Sequence, residues 1–213
     1  MYKLQSATLG PIATNCYMVI NEDSNEAVLI DATGDSNSIL KMLDSEQDDS
    51  KAKLDGILLT HAHFDHVDAV DKIRETFPDV TVYIGENDAP LLEDPMLNLS
   101  IDFMGSPVSV KADRTLSDGE ELELIGTRIK CIEVPGHTVG GMCYYFTELG
   151  LLFDGDTLFH GSVGRSDFPT GDGEALISSI RSKLFTLPDE TKVFPGHDSD
   201  TTIGWEKENN YYF

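Results

Sequence analysis

Leu54-Asp55-Gly56-Ile57-Leu58-Leu59, followed by Thr60-His61-Ala62-His63-Phe64-Asp65-His66, decides how the chain is read. The first part is an almost continuous apolar run, the mark of a strand buried on both faces. The second part is polar and packs three histidines and one aspartate into six residues. Imidazole nitrogen and carboxylate oxygen are the donors a zinc-type ion takes when thiolate is absent. Alternate residues of an extended segment point the same way, so His61, His63 and Asp65 are expected on one face, with His66 serving a neighbouring position. A loop at the carboxyl end of a strand is also where open α/β sheets keep their ligand sites.

The same grammar recurs downstream. His137 stands in Val134-Pro135-Gly136-His137-Thr138, Asp156 in Phe153-Asp154-Gly155-Asp156-Thr157, and His197 in Phe194-Pro195-Gly196-His197. Each is an apolar strand, a glycine turn and then a ligand-type side chain. Five of the six histidines sit in such settings. A lone His or Asp at a turn is ordinarily a cap or a hydrogen-bonded loop residue. The argument for a metal rests on one site accounting for all seven residues at once.

Around these points the chain alternates short strands with medium helices. Strands are expected at 2–9, 15–20, 26–30, 54–59 and 80–84, and helices at 36–43, 67–77 and 87–92. The acidic tract 44–50 is expected to end the first helix. Residues 114–134 suggest a hairpin around Asp118-Gly119 and Gly126, and 141–146 and 150–153 two more antiparallel strands. An amphipathic helix follows at 172–185, then a strand at 192–194 and a terminal helix at 201–209. Two mixed sheets packed together with helices outside satisfy this order, in an α/β chain of one domain, 1–213. No internal repeat, linker or low-complexity segment interrupts it.

Composition narrows the function classes. Lys plus Arg is 15 and Asp plus Glu is 38, a formal charge of −23. That balance argues against nucleic acid and against docking on anionic lipid, both of which select basic surfaces. No apolar run is long enough to cross a bilayer, and the first residues show no secretory leader, so a cytoplasmic location is expected. Cys16, Cys131 and Cys143 are odd in number and widely spaced, which reads as reduced, buried thiols.

The H-x-H-x-D-H run after a buried strand, with later Pro-Gly-His, Gly-Asp-Thr and Pro-Gly-His, resembles the metallo-β-lactamase superfamily. The resemblance implies a four-layer αβ/βα sandwich with its site at one edge. It implies His61, His63 and His137 on one metal, Asp65, His66 and His197 on a second, and Asp156 bridging. The cofactor implied is two divalent ions, zinc first, with iron or manganese as the other candidates. Leu9-Gly10-Pro11 with Thr14-Asn15-Cys16-Tyr17, and Gly155-Asp156-Thr157-Leu158-Phe159 followed by Gly164-Arg165-Ser166-Asp167-Phe168-Pro169, are similar to small bacterial members of the glyoxalase II branch. So is the ending Thr201-Thr202-Ile203-Gly204 with Glu206-Lys207. The chain departs from the family where Asp68-Ala69 replaces a glycine pair, where Asp198-Ser199 replaces Gly-Pro, and where Val139 replaces a proline. Asp68 and Asp198 therefore bear on the hydrogen bonding behind the ligands.

The activity implied is hydrolysis of a small-molecule thioester, such as a hydroxyacyl-glutathione, by hydroxide carried on the metals, with Asp65 orienting it. Arg165 and His160 are the candidate substrate contacts. A salt bridge from Arg165 to Asp167 or Asp172, and a satisfied loop histidine at 160, are the competing readings. Two rival functions stay open. One is an iron-dependent persulfide dioxygenase on the same fold, with His61, His137 and Asp156 as its ligands. The other is a non-enzymatic binding protein with a relic site. The oligomeric state is not readable from the sequence.

Overall fold

The structure is a computed structural model that describes residues 1–43 and 52–213. The expected role of the acidic tract 44–50 lies outside the described residues. The first sheet runs in chain order through β1 (Tyr2–Leu9), β2 (Thr14–Asn21), β3 (Glu26–Ile30), β4 (Lys53–Leu58), β5 (Thr81–Gly85) and β6 (Arg114–Leu116). Its first three strands pair antiparallel and its last three join in parallel. The second sheet holds β7 (Glu121–Leu124), β8 (Thr127–Glu133), β9 (Met142–Phe146) and β10 (Leu151–Gly155). A two-strand ribbon of β11 (Leu158–Phe159) and β12 (Ser162–Val163) intervenes before β13 (Lys192–Pro195) and β14 (Thr201–Thr202) complete that sheet, in the order β14-β13-β10-β9-β8-β7.

Strand alternation sorts side chains into three cores. In β2, Tyr17 and Val19 face the second sheet, where they meet Tyr144, Phe146 and Phe153. Their neighbours Cys16, Met18 and Ile20 face the other way, against a helical layer. That layer is built on α1 (Ser36–Lys41) and, beyond the short α2 (Phe64–Val67), on α3 (Val70–Thr76). The second sheet repeats the pattern. Met142, Tyr144 and Phe146 of β9 point inward, and Cys143 and Tyr145 point out. After the single turns α4 (Ala89–Leu92) and α5 (Ser100–Met104), α6 (Gly173–Lys183) covers this outer face with α7 (Ile203–Asn209). Helix α6 starts where it does because the Asp172 carboxylate accepts from the N–H groups of Glu174 and Ala175, both at 3.0 Å. The result is helix, sheet, sheet, helix, as expected from the order of elements.

Several local expectations differ. Residues 114–116 do not open the hairpin; they form β6 and pair with β5, and the hairpin is β7–β8 turning at Ile125-Gly126. The helix expected over 67–77 is two pieces, because Ala69 N–H leaves the helical ladder to donate to Ala32 O at 3.0 Å, just after Asp68, which caps α2 and accepts at its side chain from Gly34 N–H at 2.8 Å. Helix α2 begins at Phe64. Asp65 and His66 are therefore helical, and the expectation that His61, His63 and Asp65 share one face of an extended segment is corrected. Helix α5 and the β11–β12 ribbon have no counterpart in the sequence reading. All three cysteines are free and buried. Burial pushes the thiols of Cys16 and Cys131 up to about 12, which removes thiolate chemistry at neutral pH. Among the described residues no helix is long and apolar enough to cross a membrane.

Candidate metal centre

Four strands end at one edge of the sandwich and each hands over candidate ligands. β4 leads to His61, β8 to His137, β10 to Asp156 and β13 to His197. The edge is stitched across the two sheets. Met142 N–H donates to Thr60 O at 2.7 Å, Tyr144 OH to Leu59 O at 2.7 Å, and Tyr17 OH to Pro195 O at 2.7 Å. Gly196 explains the glycine before His197: a Cβ there would land on Asp156 Oδ1 and 2.6 Å from His66 Cε1. Only a residue without a side chain lets this strand end approach the cluster.

The seven side chains converge. Ligand atoms of His61, His63 and His137 lie within 4.8 Å of one another, as do those of Asp65, His66 and His197, and those of His61, His66 and Asp156. Asp156 touches both halves: Oδ1 is 3.4 Å from His66 Nε2, and Oδ2 is 3.5 Å from His137 Nε2 and 3.6 Å from His197 Nε2. The His63 Nδ1 and His137 Nε2 atoms are 2.9 Å apart.

Whether these groups fit metal ions is tested by where their other nitrogens go. His66 Nδ1–H donates to Asp31 Oδ2 at 2.8 Å, and His137 Nδ1–H to the Arg165 carbonyl at 2.7 Å. Thr60 Oγ1 gives its proton to Asp31 Oδ2, so it accepts from His61 Nδ1–H at 3.1 Å. In these three histidines the outer nitrogen is fixed by the protein, which turns Nε2 toward the cluster, whereas His63 presents Nδ1 to it. There His61 Nε2, His66 Nε2 and Asp156 Oδ1 are buried without any hydrogen-bond partner. Buried polar atoms are seldom orphaned unless something else meets them. The donor set of imidazoles and carboxylates, with its orphaned atoms, suits a dinuclear site.

The electrostatics agree. Burial, reinforced by the neighbouring imidazoles, drives His61 well below the usual range and His63 down to about 3, so both are neutral. Burial would lower His66 as well, but the facing Asp65, Asp31 and Asp156 outweigh it and raise it well above its ordinary value. Burial would raise Asp65; His66 and His197 outweigh that and hold it well below the carboxylate range. A divalent ion held there would displace the His66 proton and take over the balancing of the Asp65 and Asp156 carboxylates. Stripping divalent ions with a chelator is expected to lower Tm by about 5–10 °C, from about 2.7 kcal/mol of linkage at a hundredfold excess of ion over Kd. Differential scanning calorimetry before and after adding back metal checks this, and an unchanged Tm removes the centre.

Two supporting residues escaped the sequence reading. Asp31 directly follows β3 and also accepts Thr60 N–H at 2.8 Å. The fully buried Asp88 accepts from Ala62 N–H at 3.0 Å, Thr138 Oγ1 at 2.8 Å and Gly140 N–H at 2.7 Å, which ties the His61–His63 turn to the His137 turn. The only signal for Asp31 was an acid closing an apolar strand. Asp31→Asn keeps size and tolerates the left-handed backbone found there, with φ 56°. It is expected to weaken metal affinity about 10–100-fold, read by competition with a chelating dye; equal affinity would free Asp31 of that role.

The two candidate substrate contacts part company. Arg165 lines the cavity in front of the cluster, with its guanidinium on Asp167 at 2.7 and 2.8 Å rather than on Asp172. His160 does not line that cavity: its ring stacks on Trp205, centroids 4.1 Å apart. Among the departures from the family pattern, Asp198 takes a left-handed φ of 63° and its carbonyl accepts from Asn15 Nδ2 at 3.0 Å. Val139 is exposed.

Two mixed sheets between helical layers, with a histidine-aspartate cluster at one edge, define a metallo-hydrolase architecture. The chain belongs to the metallo-beta-lactamase superfamily, which its residues 9–197 match. It is 38% identical over 200 residues to hydroxyacylglutathione hydrolase GloC of Haemophilus influenzae, covering 92% of this chain and 91% of that one. Among solved structures it is similar to BLEG-1 B3 metallo-beta-lactamase, with TM-score 0.90, 40% identity and 98% of each chain covered. It is also similar to TTHA1623 in a di-iron-bound form, with TM-score 0.84, 36% identity, 98% of this chain and 100% of that chain.

Proposed function

We propose that the protein is a cytoplasmic thioester hydrolase acting on a small molecule, of which a hydroxyacyl-glutathione is the example its likeness to GloC supplies. His61, His63 and His137 would hold one divalent ion, Asp65, His66 and His197 would hold the other, and Asp156, whose oxygens reach both groups, would serve both. The observation that carries this reading is the cluster itself, in which the outer nitrogens of His61, His66 and His137 are tied to the protein while His61 Nε2, His66 Nε2 and Asp156 Oδ1 are orphaned. Divalent ions held there lower the pKa of water to about 7 and polarise a carbonyl oxygen.

The protein's own groups do the rest. Thr14 Oγ1 donates to Asp65 Oδ2 at 2.7 Å, and His66 and His197 flank the same oxygen at 3.3 and 3.4 Å. Asp65 Oδ1 is left to orient the attacking water. The water oxygen forms the new C–O bond, the C–S bond breaks, and the products are a carboxylate, a thiol and a proton. Asp31 and the Arg165 carbonyl keep His66 and His137 in the tautomer that faces inward.

The test is hydrolysis of lactoyl-glutathione, a neutral thioester and a β-lactam by protein of measured metal content. The β-lactam is included because the similar BLEG-1 carries that name. Thioester turnover that stops with chelator and returns with zinc, iron or manganese supports the reading. Oxygen uptake with a persulfide, and no thioester turnover by metal-loaded protein, would replace it with the dioxygenase.

A further inference from the structure

The thioester reading leaves open what the substrate carries, and the wall of the cavity in front of the metal cluster answers that. The cavity holds about 450 Å³ and reaches from Asp65, Asp156 and His197 to a rim that includes Ile12 and Phe103. One side is an aromatic chain that begins at the cluster. The Phe168 ring meets His63 edge-on at 5.5 Å; Phe103 meets Phe168 at 5.9 Å; Phe64 stacks on Phe103 at 5.7 Å and 21°. Leu99 and Val163 extend the apolar surface.

Two of these side chains are apolar yet open to water: Phe103 is 54% and Ile12 44% exposed. They come from segments about ninety residues apart in sequence and line the same cavity. Phe103 is not loosely held. Its segment is pinned by Asn98, whose side-chain amide donates to Val108 O at 2.8 Å and whose carbonyl oxygen Oδ1 accepts from Ser100 N–H at 3.0 Å. The Asn98 main-chain carbonyl accepts from Phe64 N–H at 2.9 Å, which fastens α5 to the helix that carries Asp65 and His66. The aromatic wall is therefore set in place relative to the reacting centre before a ligand arrives.

The charges on the wall point the same way. Arg165 is the only lysine or arginine on the lining among the described residues, and Asp167 occupies its fork in a two-bond pair. Its guanidinium also lies 3.9 Å from the centre of the Phe168 ring. A carrier with two carboxylates, such as glutathione, finds no free cation here, in a chain of charge −23. An apolar group finds about half the lining.

We propose that this cavity is an acyl-group pocket, and that the substrate is a thioester of an aryl or medium-chain acyl group, selected by Phe103 with Phe64 and Phe168. The proposal rests on the thioester reading above and adds the class of acyl group. Contact of the acyl group with the wall covers Phe103 and Ile12 and leaves the carrier at the mouth, so the acyl group sets kcat/KM.

The test compares the phenylacetyl, hexanoyl and acetyl thioesters of N-acetylcysteamine, a small neutral carrier, with lactoyl-glutathione alongside. Metal-loaded protein is expected to favour phenylacetyl over acetyl by about 100-fold in kcat/KM. Phe103→Ser is expected to cut that ratio about tenfold or more, and Phe103→Trp to keep it. Because Phe103 is largely exposed, its truncation removes wall rather than core, and a melting curve of each variant confirms this. Equal rates for phenylacetyl and acetyl, or a clear preference for lactoyl-glutathione, would overturn the pocket while leaving thioester hydrolysis standing. If no thioester is cleaved, calorimetric titration with the amide analogue of the phenylacetyl substrate still decides. Binding that Phe103→Ser weakens about tenfold keeps the pocket and rejects the hydrolase; absence of binding rejects both.

Discussion

Asp156→Ala is expected to lower kcat/KM for the proposed thioester hydrolysis by roughly 10³-fold or more and to leave the purified protein short of at least one ion. Of the seven candidate ligands, Asp156 is the one whose two oxygens reach toward His66 on one side and His137 and His197 on the other. Its loss removes a donor from both halves and the negative charge between them. His66 then keeps Asp31 and Asp65 as its carboxylate partners, so the fold has a reason to survive while the ion pair does not. The measurement is metal content by mass spectrometry beside steady-state kinetics and a circular dichroism spectrum. Asp156→Asn separates charge from shape: it fills the same space, so a rate near that of the alanine variant assigns the effect to the carboxylate. A native spectrum with two bound ions and an undiminished rate would mean that the centre does not use this residue.

How much of this could be read before the fold was known depended on how local each signal was. His61, His63, Asp65 and His66 announce themselves because their density has no common structural explanation. His137, Asp156 and His197 were weaker singly and became persuasive only as repeats of one strand-and-glycine grammar. The partners that fix them were not readable, because their meaning is made by contacts far apart in sequence. Asp88 lies among turn residues, yet it receives three donors from two other loops. Asp31 looks like the end of a strand until β4 comes alongside and places Thr60 and His66 on its two oxygens.

The misread elements share a cause. Arg114-Thr115-Leu116 alternates as any edge strand does, and only its pairing with Tyr83-Ile84-Gly85 assigns it to the first sheet. The periodic apolar positions Val67, Val70 and Ile73 do form one buried face. Periodicity could not show that the Ala69 N–H would leave the helical ladder for Ala32 O. Phe103 carries no pattern and Phe168 stands only inside a longer motif, since a cavity wall is assembled from a short helix and loops whose meeting is tertiary. His160, which stands near Asp156 in sequence, meets Trp205 instead because it lies at the turn of the β11–β12 ribbon.

The other large effect is on stability. Gly136→Ala is expected to cost about 4 kcal/mol or more and to lower Tm by about 10 °C. Gly136 sits at φ 134°, in the region that side chains avoid. A Cβ built there would strike Leu176 N, 2.5 Å from Leu176 Cβ and 2.6 Å from Asp172 O. These are atoms of the first turns of α6, held by the Asp172 cap and by Asp172 N–H donating to Gly136 O at 2.8 Å. The helix cannot retreat without giving up that bond and the packing of Leu176 and Ile180 on the second sheet. Gly150→Ala is the control, because Gly150 has φ 65° and nothing within 4 Å of the added methyl. It bears only the left-handed backbone penalty, about 1 kcal/mol. A Gly136→Ala variant that melts within about 3 °C of the Gly150→Ala variant would show that α6 is free to shift. Should the gap be as large as expected, metal content ought to fall with it, since His137 is the next residue and loses the turn that aims it.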